Sequence, residues 1–248
     1  HMQLLIDAPS AHTVYLMVDT GMHRSGLDEE DWDEAFSFAR RVGLDVVGVM
    51  SHLACADEPD HPMNQRQRDA FAAAAERYPG VMRSLANSGA CFLGRDFAFD
   101  AVRPGVSLYG GGPEGRPDAR IAPVATLTAE VLQVRDVPAG ESVGYARGFV
   151  AQSPVRVAAI AAGYADGVLR ACSPRGAAHV AGHTRRLLGR VSMDFCAVDV
   201  TGLDVAVGDV VELFGPNRML DDAAAAADTI SYELLTSITA RVPRRHVG

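Results

Sequence analysis

The residues best suited to chemistry in this sequence lie in short polar segments, each following an apolar run. Behind the strand-like residues 14–18 comes Asp19-Thr20-Gly21-Met22-His23-Arg24-Ser25-Gly26. Loops at the C-terminal ends of parallel strands are where α/β folds build their sites. Arg24 is the working candidate here, a permanent cation with a directional donor fork. An exposed loop arginine is the plainer alternative. Ser51-His52-Leu53-Ala54-Cys55-Ala56-Asp57-Glu58 repeats the layout after residues 46–50. His52, Cys55 and His61 fit no standard zinc spacing. No metal is expected, and His52 reads as a hydrogen-bonding group at a pocket floor.

Leu85-Ala86-Asn87-Ser88-Gly89-Ala90 and Val102-Arg103-Pro104-Gly105-Val106 end the next two apolar runs. A Ser88 hydroxyl beside glycine-permitted backbone N–H groups would suit a phosphate. Two ordinary turns would use the same residue types. Further on, Gly144-Tyr145, Gly163-Tyr164, Ser192-Met193-Asp194 and Ile230-Ser231-Tyr232-Glu233 stand out. Each alone reads as a core or surface aromatic, or as a turn.

The elements that must hold these segments change character along the chain. Residues 28–42 predict a helix, with Trp32, Ala35, Phe36 and Ala39 on one face. Its acids cluster in the first turn, Arg40 and Arg41 in the last, and Gly43 stops it. Residues 64–78 predict a second helix, and short strands are expected at 84–86 and 101–102. This alternation argues for a parallel α/β layer. After the Gly/Pro stretch 110–117 the pattern turns β-rich, with strands expected at 124–137, 155–162, 187–191, 196–200 and 210–214. One closing helix is expected at 221–238. The boundary falls near Gly112, giving an α/β part over 3–112 and a mostly-β part over 113–248.

Composition narrows the class. With 248 residues, 48% of them hydrophobic, the chain can bury one large core or two ordinary ones. A net charge of -8 argues against nucleic-acid and anionic-membrane partners. Four cysteines without a C-x-x-C pair point to a reduced, cytoplasmic protein. No apolar run approaches the roughly 18 residues of a membrane span. His1-Met2 reads as an added remnant rather than a secretion signal. All 23 basic residues are arginine, and the sequence contains no lysine.

In order, the segments VDTGMHR, SHLACADE, LANSGA, VRPGVSLYG, SVGYARG, AGYADG, GRVSMD and ISYELLTSI with RVPRR resemble alanine racemase. That family uses pyridoxal 5'-phosphate (PLP) to interconvert L- and D-alanine, supplying D-alanine for peptidoglycan. The resemblance implies α/β plus β architecture: the second half of a TIM-type (β/α)8 barrel followed by a mostly-β C-terminal domain. It implies a cytoplasmic homodimer whose sites are shared between subunits. Arg103 would face the pyridine nitrogen and keep it unprotonated. Ser88, the Gly105 and Val106 backbone and Tyr232 would hold the phosphate. Arg24 would lie near the ring oxygen, and His52 would support the catalytic tyrosine. Tyr145 matches that tyrosine, delivered from the partner to exchange the Cα proton. The Met193 N–H would bind the substrate carboxylate, and Tyr164 would line the entrance and limit side-chain size. Asp194 reads as a structural or entrance residue.

Three positions depart from the family. The lysine that anchors PLP and acts as the second base lies on the family's first barrel strand and has no counterpart here. The equivalent of four βα units, about 125 residues of a barrel, is expected to be absent, leaving open strand edges. Met17 stands where the family often carries a carbamylated lysine, and His246 where an aromatic is common. The chain alone is therefore expected to be inactive as a racemase. A non-catalytic, lysine-free module that binds PLP or a partner remains the alternative. A third reading keeps the reaction with serine or another small amino acid, against which the tight pocket implied by Tyr164 favours alanine.

Overall fold

The computed structural model describes residues 12–173 and 175–247, and its contacts divide the chain into two compact units. The first is His1–Gly105 and the second Val106–Gly248. The composition change near Gly112 thus falls inside the second unit. That stretch is tied down there, since Gly112 N donates to Asp221 Oδ2 at 2.7 Å.

In the first unit, β1 (Thr13–Met17), β2 (Asp45–Met50) and β3 (Met82–Ser84) form a parallel sheet in that order. Parallel neighbours need a crossover, and α1 (Trp32–Arg41) and α2 (Pro62–Glu76) supply the two. A 3-10 turn, Glu29–Asp31, precedes α1. The helix buries Trp32, Ala35, Phe36 and Ala39, the stripe its spacing predicts. Gly43 follows at φ +81, where a side chain would be strained. Pro62 begins α2, and His61 Nδ1 caps it by accepting from Met63 N at 3.1 Å. The core gathers Leu16, Val18, Trp32, Phe36, Val49 and Phe71 between sheet and helices. The strand expected at 101–102 is reduced to one parallel bridge, Ser84 to Ala101. A four-residue helix, α3 (Arg95–Ala98), comes shortly before it.

The second unit is a closed antiparallel barrel. Its strands are β4 (Leu127–Val137), β7 (Val155–Ile160), β8 (Ala177–Val180), β9 (His183–Leu188), β10 (Cys196–Asp199) and β11 (Val210–Phe214). They run in the order β10-β7-β4-β11-β8-β9, and β9 pairs back to β10. Closure leaves no free sheet edge. Along β4, Leu127, Ala129 and Val131 point into the core until a register shift between Val131 and Gln133. Two very short strands, β5 (Ser142–Val143) and β6 (Phe149–Val150), form a separate hairpin.

The closing helix expected at 221–238 is two helices, α4 (Leu220–Ala226) and α5 (Ser231–Ser237). Asp228 sits at φ +59, its N–H bonds Ala225 O, and Thr229 N bonds Ala224 O at 3.1 Å. These are the bonds of a Schellman stop, made here around aspartate instead of glycine. The run of alanines hides this stop.

Candidate active site

The polar segments of the first unit converge at the C-terminal ends of its strands. The loop from Asp19 to Gly26 closes on itself: Asp19 N donates to Leu27 O and Leu27 N to Met17 O, both at 2.9 Å. Gly26 is required at the closure, because a Cβ there would lie 2.7 Å from Asp19 N. Asp19 Oδ1 accepts from Gly21 N at 2.7 Å and from His23 N at 3.2 Å. Burial pushes its carboxyl up, but these N–H groups and the His23 ring outweigh that and hold it below the usual range. Asp19 shapes the loop, and Arg24 rides exposed on it.

Arg103 is the best-positioned cation. Its Nη1 donates to Ser84 Oγ and its Nη2 to the Ser51 carbonyl, each at 2.6 Å. Nε is left out of both bonds. Both acceptors are neutral, and no carboxylate pairs with Arg103 among the described ion pairs. Burial alone lowers its pKa. A half-buried guanidinium, without an acidic partner among the described residues, therefore stands where two strand ends meet.

His52 lies half-buried nearby. Asn87 Oδ1 accepts from Ala90 N at 3.0 Å, which turns its amide nitrogen toward His52 Nε2, 3.5 Å away. A donor facing Nε2 favours the neutral ring with its lone pair there. Burial first, then the charges of Arg103 and Arg24, push the imidazole below its ordinary value. Ser88, 1% exposed, accepts from Gly105 N at 2.7 Å. That bond brings the hydroxyl of one loop onto the backbone of the next.

The second unit holds the other candidates. Tyr164 N donates to Ser192 O at 3.0 Å and Ala165 N to Met193 O at 2.9 Å. Gly163 permits this pairing, since a Cβ there would sit 2.2 Å from Met193 O. Tyr164 and Met193 are thereby neighbours, both partly exposed. Asp194 is held by Arg241 Nη2 at 2.8 Å, and the same guanidinium reaches Asp166. Tyr145 projects from the β5–β6 hairpin and is 70% exposed. The hairpin packs on the Gly189–Arg190 turn, just ahead of Met193 in the chain. Buried Val106 packs beside Ser231, the residue before Tyr232, across Gly111. Asp221, 2% exposed, fastens this corner by accepting from Gly112 N and from Ser231 Oγ.

Several residues in these networks escape a motif-based reading. Ser51 and Ser84 fall in the expected loop and strand, Asp221 at the start of the expected closing helix, and Gln67 within the helix expected at 64–78, with no role assigned to any of them. Gln67 is 0% exposed. Its position on the stripe Asn64, Gln67, Phe71 and Ala74 was the available signal. Among the described residues no group of His, Cys, Asp and Glu could hold a metal, and no helix is long and apolar enough to cross a membrane.

A partial α/β layer with cationic and hydroxyl groups at its strand ends, followed by an antiparallel barrel, is the two-part architecture of the alanine racemases, a family of PLP-dependent isomerases. The family model described as alanine racemase, N-terminal domain, matches residues 2–113, and that for its C-terminal domain matches 124–246. An alanine racemase of Rhodospirillum rubrum is 43% identical over 97% of this chain and 64% of its own length. The crystal structure of the biosynthetic alanine racemase of Pseudomonas aeruginosa superposes with a TM-score of 0.89 at 37% identity, over 99% of this chain and 70% of that one. That of Bartonella henselae, with covalently bound pyridoxal phosphate, gives 0.85 at 37% identity over 95% and 66%. The chain belongs to the alanine racemase family. It spans about 64% of the length of the Rhodospirillum relative.

Proposed function

We propose that this chain supplies the cofactor cradle, the substrate pocket and one proton-transfer group of an alanine racemase, working as a homodimer with shared sites. The observation that carries the reading is Arg103, a cation fixed by Ser84 and Ser51 and paired with no carboxylate among the described residues. Such a group suits an electron-rich ring nitrogen and discourages its protonation. The donor set also fits the rest of PLP. Ser88 Oγ and Gly105 N, bonded to each other at 2.7 Å, are groups that a phosphate oxygen could take over, and the family resemblance assigns Val106 N–H and Tyr232 to the same phosphate and Arg24 to the ring oxygen.

PLP, when bound, supplies the electron sink that makes a Cα proton of an amino acid removable. The remaining work belongs to the chain. Met193 N–H holds the substrate carboxylate, and Tyr164 beside it leaves room for a methyl side chain, hence alanine. Tyr145 takes up or returns the proton on one face of Cα. Its exposure suits a side chain whose working place is against a second copy of the chain. Neutral His52 can accept a hydrogen bond at Nε2 and orient its neighbours without adding charge.

The second base and the covalent anchor require a lysine ε-amine, which these 248 residues do not contain. In this reading the lysine comes from polypeptide outside this sequence, and the chain alone holds PLP without turning alanine over. The test is a PLP titration of the purified chain, followed by absorbance, with borohydride added at saturation. Reversible binding that R103L and S88A weaken, with no side-chain label fixed by borohydride, supports the reading. A folded chain that binds no PLP, or binds it equally well in both variants, overturns it.

A further inference from the structure

Gln67 is an amide where the apolar stripe of α2 calls for a hydrocarbon. Its stripe neighbours Phe71 and Ala74 are buried in the core of the first unit. A buried amide is costly unless its groups are bonded, and here they are. Oε1 accepts from Ala54 N at 2.8 Å, while Nε2 donates to His52 O at 3.0 Å and to Thr20 Oγ1 at 3.3 Å. Thr20 Oγ1 in turn lies 2.8 Å from Ser51 Oγ, and Ser51 O is an acceptor for Arg103. One side chain thus touches the loop after β1, which carries Arg24, and brackets His52 on the loop after β2.

We propose that Gln67 is a positioning residue of this site, a buried clamp that fixes His52 against Arg103 by holding the backbone on either side of Leu53. The inference rests on the reading of His52 as a site residue. Side-chain chemistry at the site is left to His52 and the arginines, and Gln67 acts only through them. With the clamp in place, the imidazole stays half-buried, with Asn87 toward its Nε2 and the charges of Arg103 and Arg24 acting on it. Without it, the 51–54 segment loses two of its tethers, and the ring can turn outward, away from both cations.

The test is an NMR titration of His52 in the full chain, unmodified and as Q67M, which fills nearly the same volume without hydrogen bonds. The expected result is a folded variant whose His52 midpoint rises from its depressed value toward the ordinary 6.5. A purely structural Gln67 would lower the melting temperature of Q67M and leave that midpoint where it was, which overturns the proposal. Amide exchange in the unmodified chain gives a second reading that needs no variant. The Ala54 N–H should exchange slowly although Ala54 is exposed, and fast exchange overturns the clamp. Neither measurement involves PLP, so a chain that fails to bind the cofactor would sink the functional proposal and leave this one to its own result.

Discussion

Arg103 Nη1 donates to Ser84 Oγ at 2.6 Å, and that hydroxyl donates onward to Ala101 O at 2.8 Å. The serine is 2% exposed and joins the end of β3 to the chain that delivers the arginine. S84A leaves Ala101 O and one guanidinium donor without this partner. Unmet buried polar groups cost about 1–3 kcal/mol, so S84A should lose stability on that scale in urea. It should also weaken PLP binding, because the fork would no longer be held on both sides. A variant as stable as the original would show that water replaces the hydroxyl at no cost.

His52 makes the first unit sensitive to mild acid. Its folded pKa lies below the ordinary 6.5, so folding favours the neutral ring. That contribution is whole above about pH 6.5 and is lost as pH falls through the depressed folded value. Urea midpoints measured between about pH 7.5 and 5 should therefore fall with acid, and less steeply in H52Q, which cannot take up the proton. Identical slopes in the two proteins would mean that His52 does not contribute to the acid sensitivity.

Asp221 governs a corner of the second unit. D221A strips the partners from Gly112 N and Ser231 Oγ together. Losses of about 1–3 kcal/mol for each buried group left unmet should make it the more damaging of two substitutions there. D221N, which keeps one acceptor oxygen, should lose less. Because Tyr232 follows Ser231 and Val106 packs beside it, PLP affinity should fall in the same order. Equal stabilities in the two variants would contradict this ranking.

Cys196 is buried in the barrel core, where burial, with Cys172 and Asp166 nearby, pushes its thiol up to about 12. The thiolate is the reactive form, so alkylation at neutral pH should spare Cys196 until the chain unfolds. Mass mapping after a short iodoacetamide pulse checks this. Modification of Cys196 at the rate of exposed Cys91 would mean that the barrel opens readily.

Much of this arrangement is legible in the sequence because it depends on period and punctuation. The helix α1 stripe, the Gly43 stop and the run 210–214, which is β11 residue for residue, follow from local pattern alone. What stays hidden depends on tertiary partners. Asp228 stops α4 by adopting a left-handed backbone that a propensity reading assigns to glycine. The run 101–102 lacks a strand because only Ala101 finds a bridge. Gln67 looks polar and therefore exposed until the two loops it bonds are known. At the site, the residue types in the motifs were visible, while the bonds that give Arg103 its direction were not.

The most direct test of the proposed function is a single rate: exchange of the alanine Cα hydrogen, with racemisation, in the presence of PLP. The chain alone should show none above the PLP background. Mixed with a lysine-bearing N-terminal segment of the family, it should gain activity that Y145F abolishes while PLP stays bound. Racemisation by the lysine-free chain alone, or a folded and associated mixture that stays inactive, would contradict the assignment.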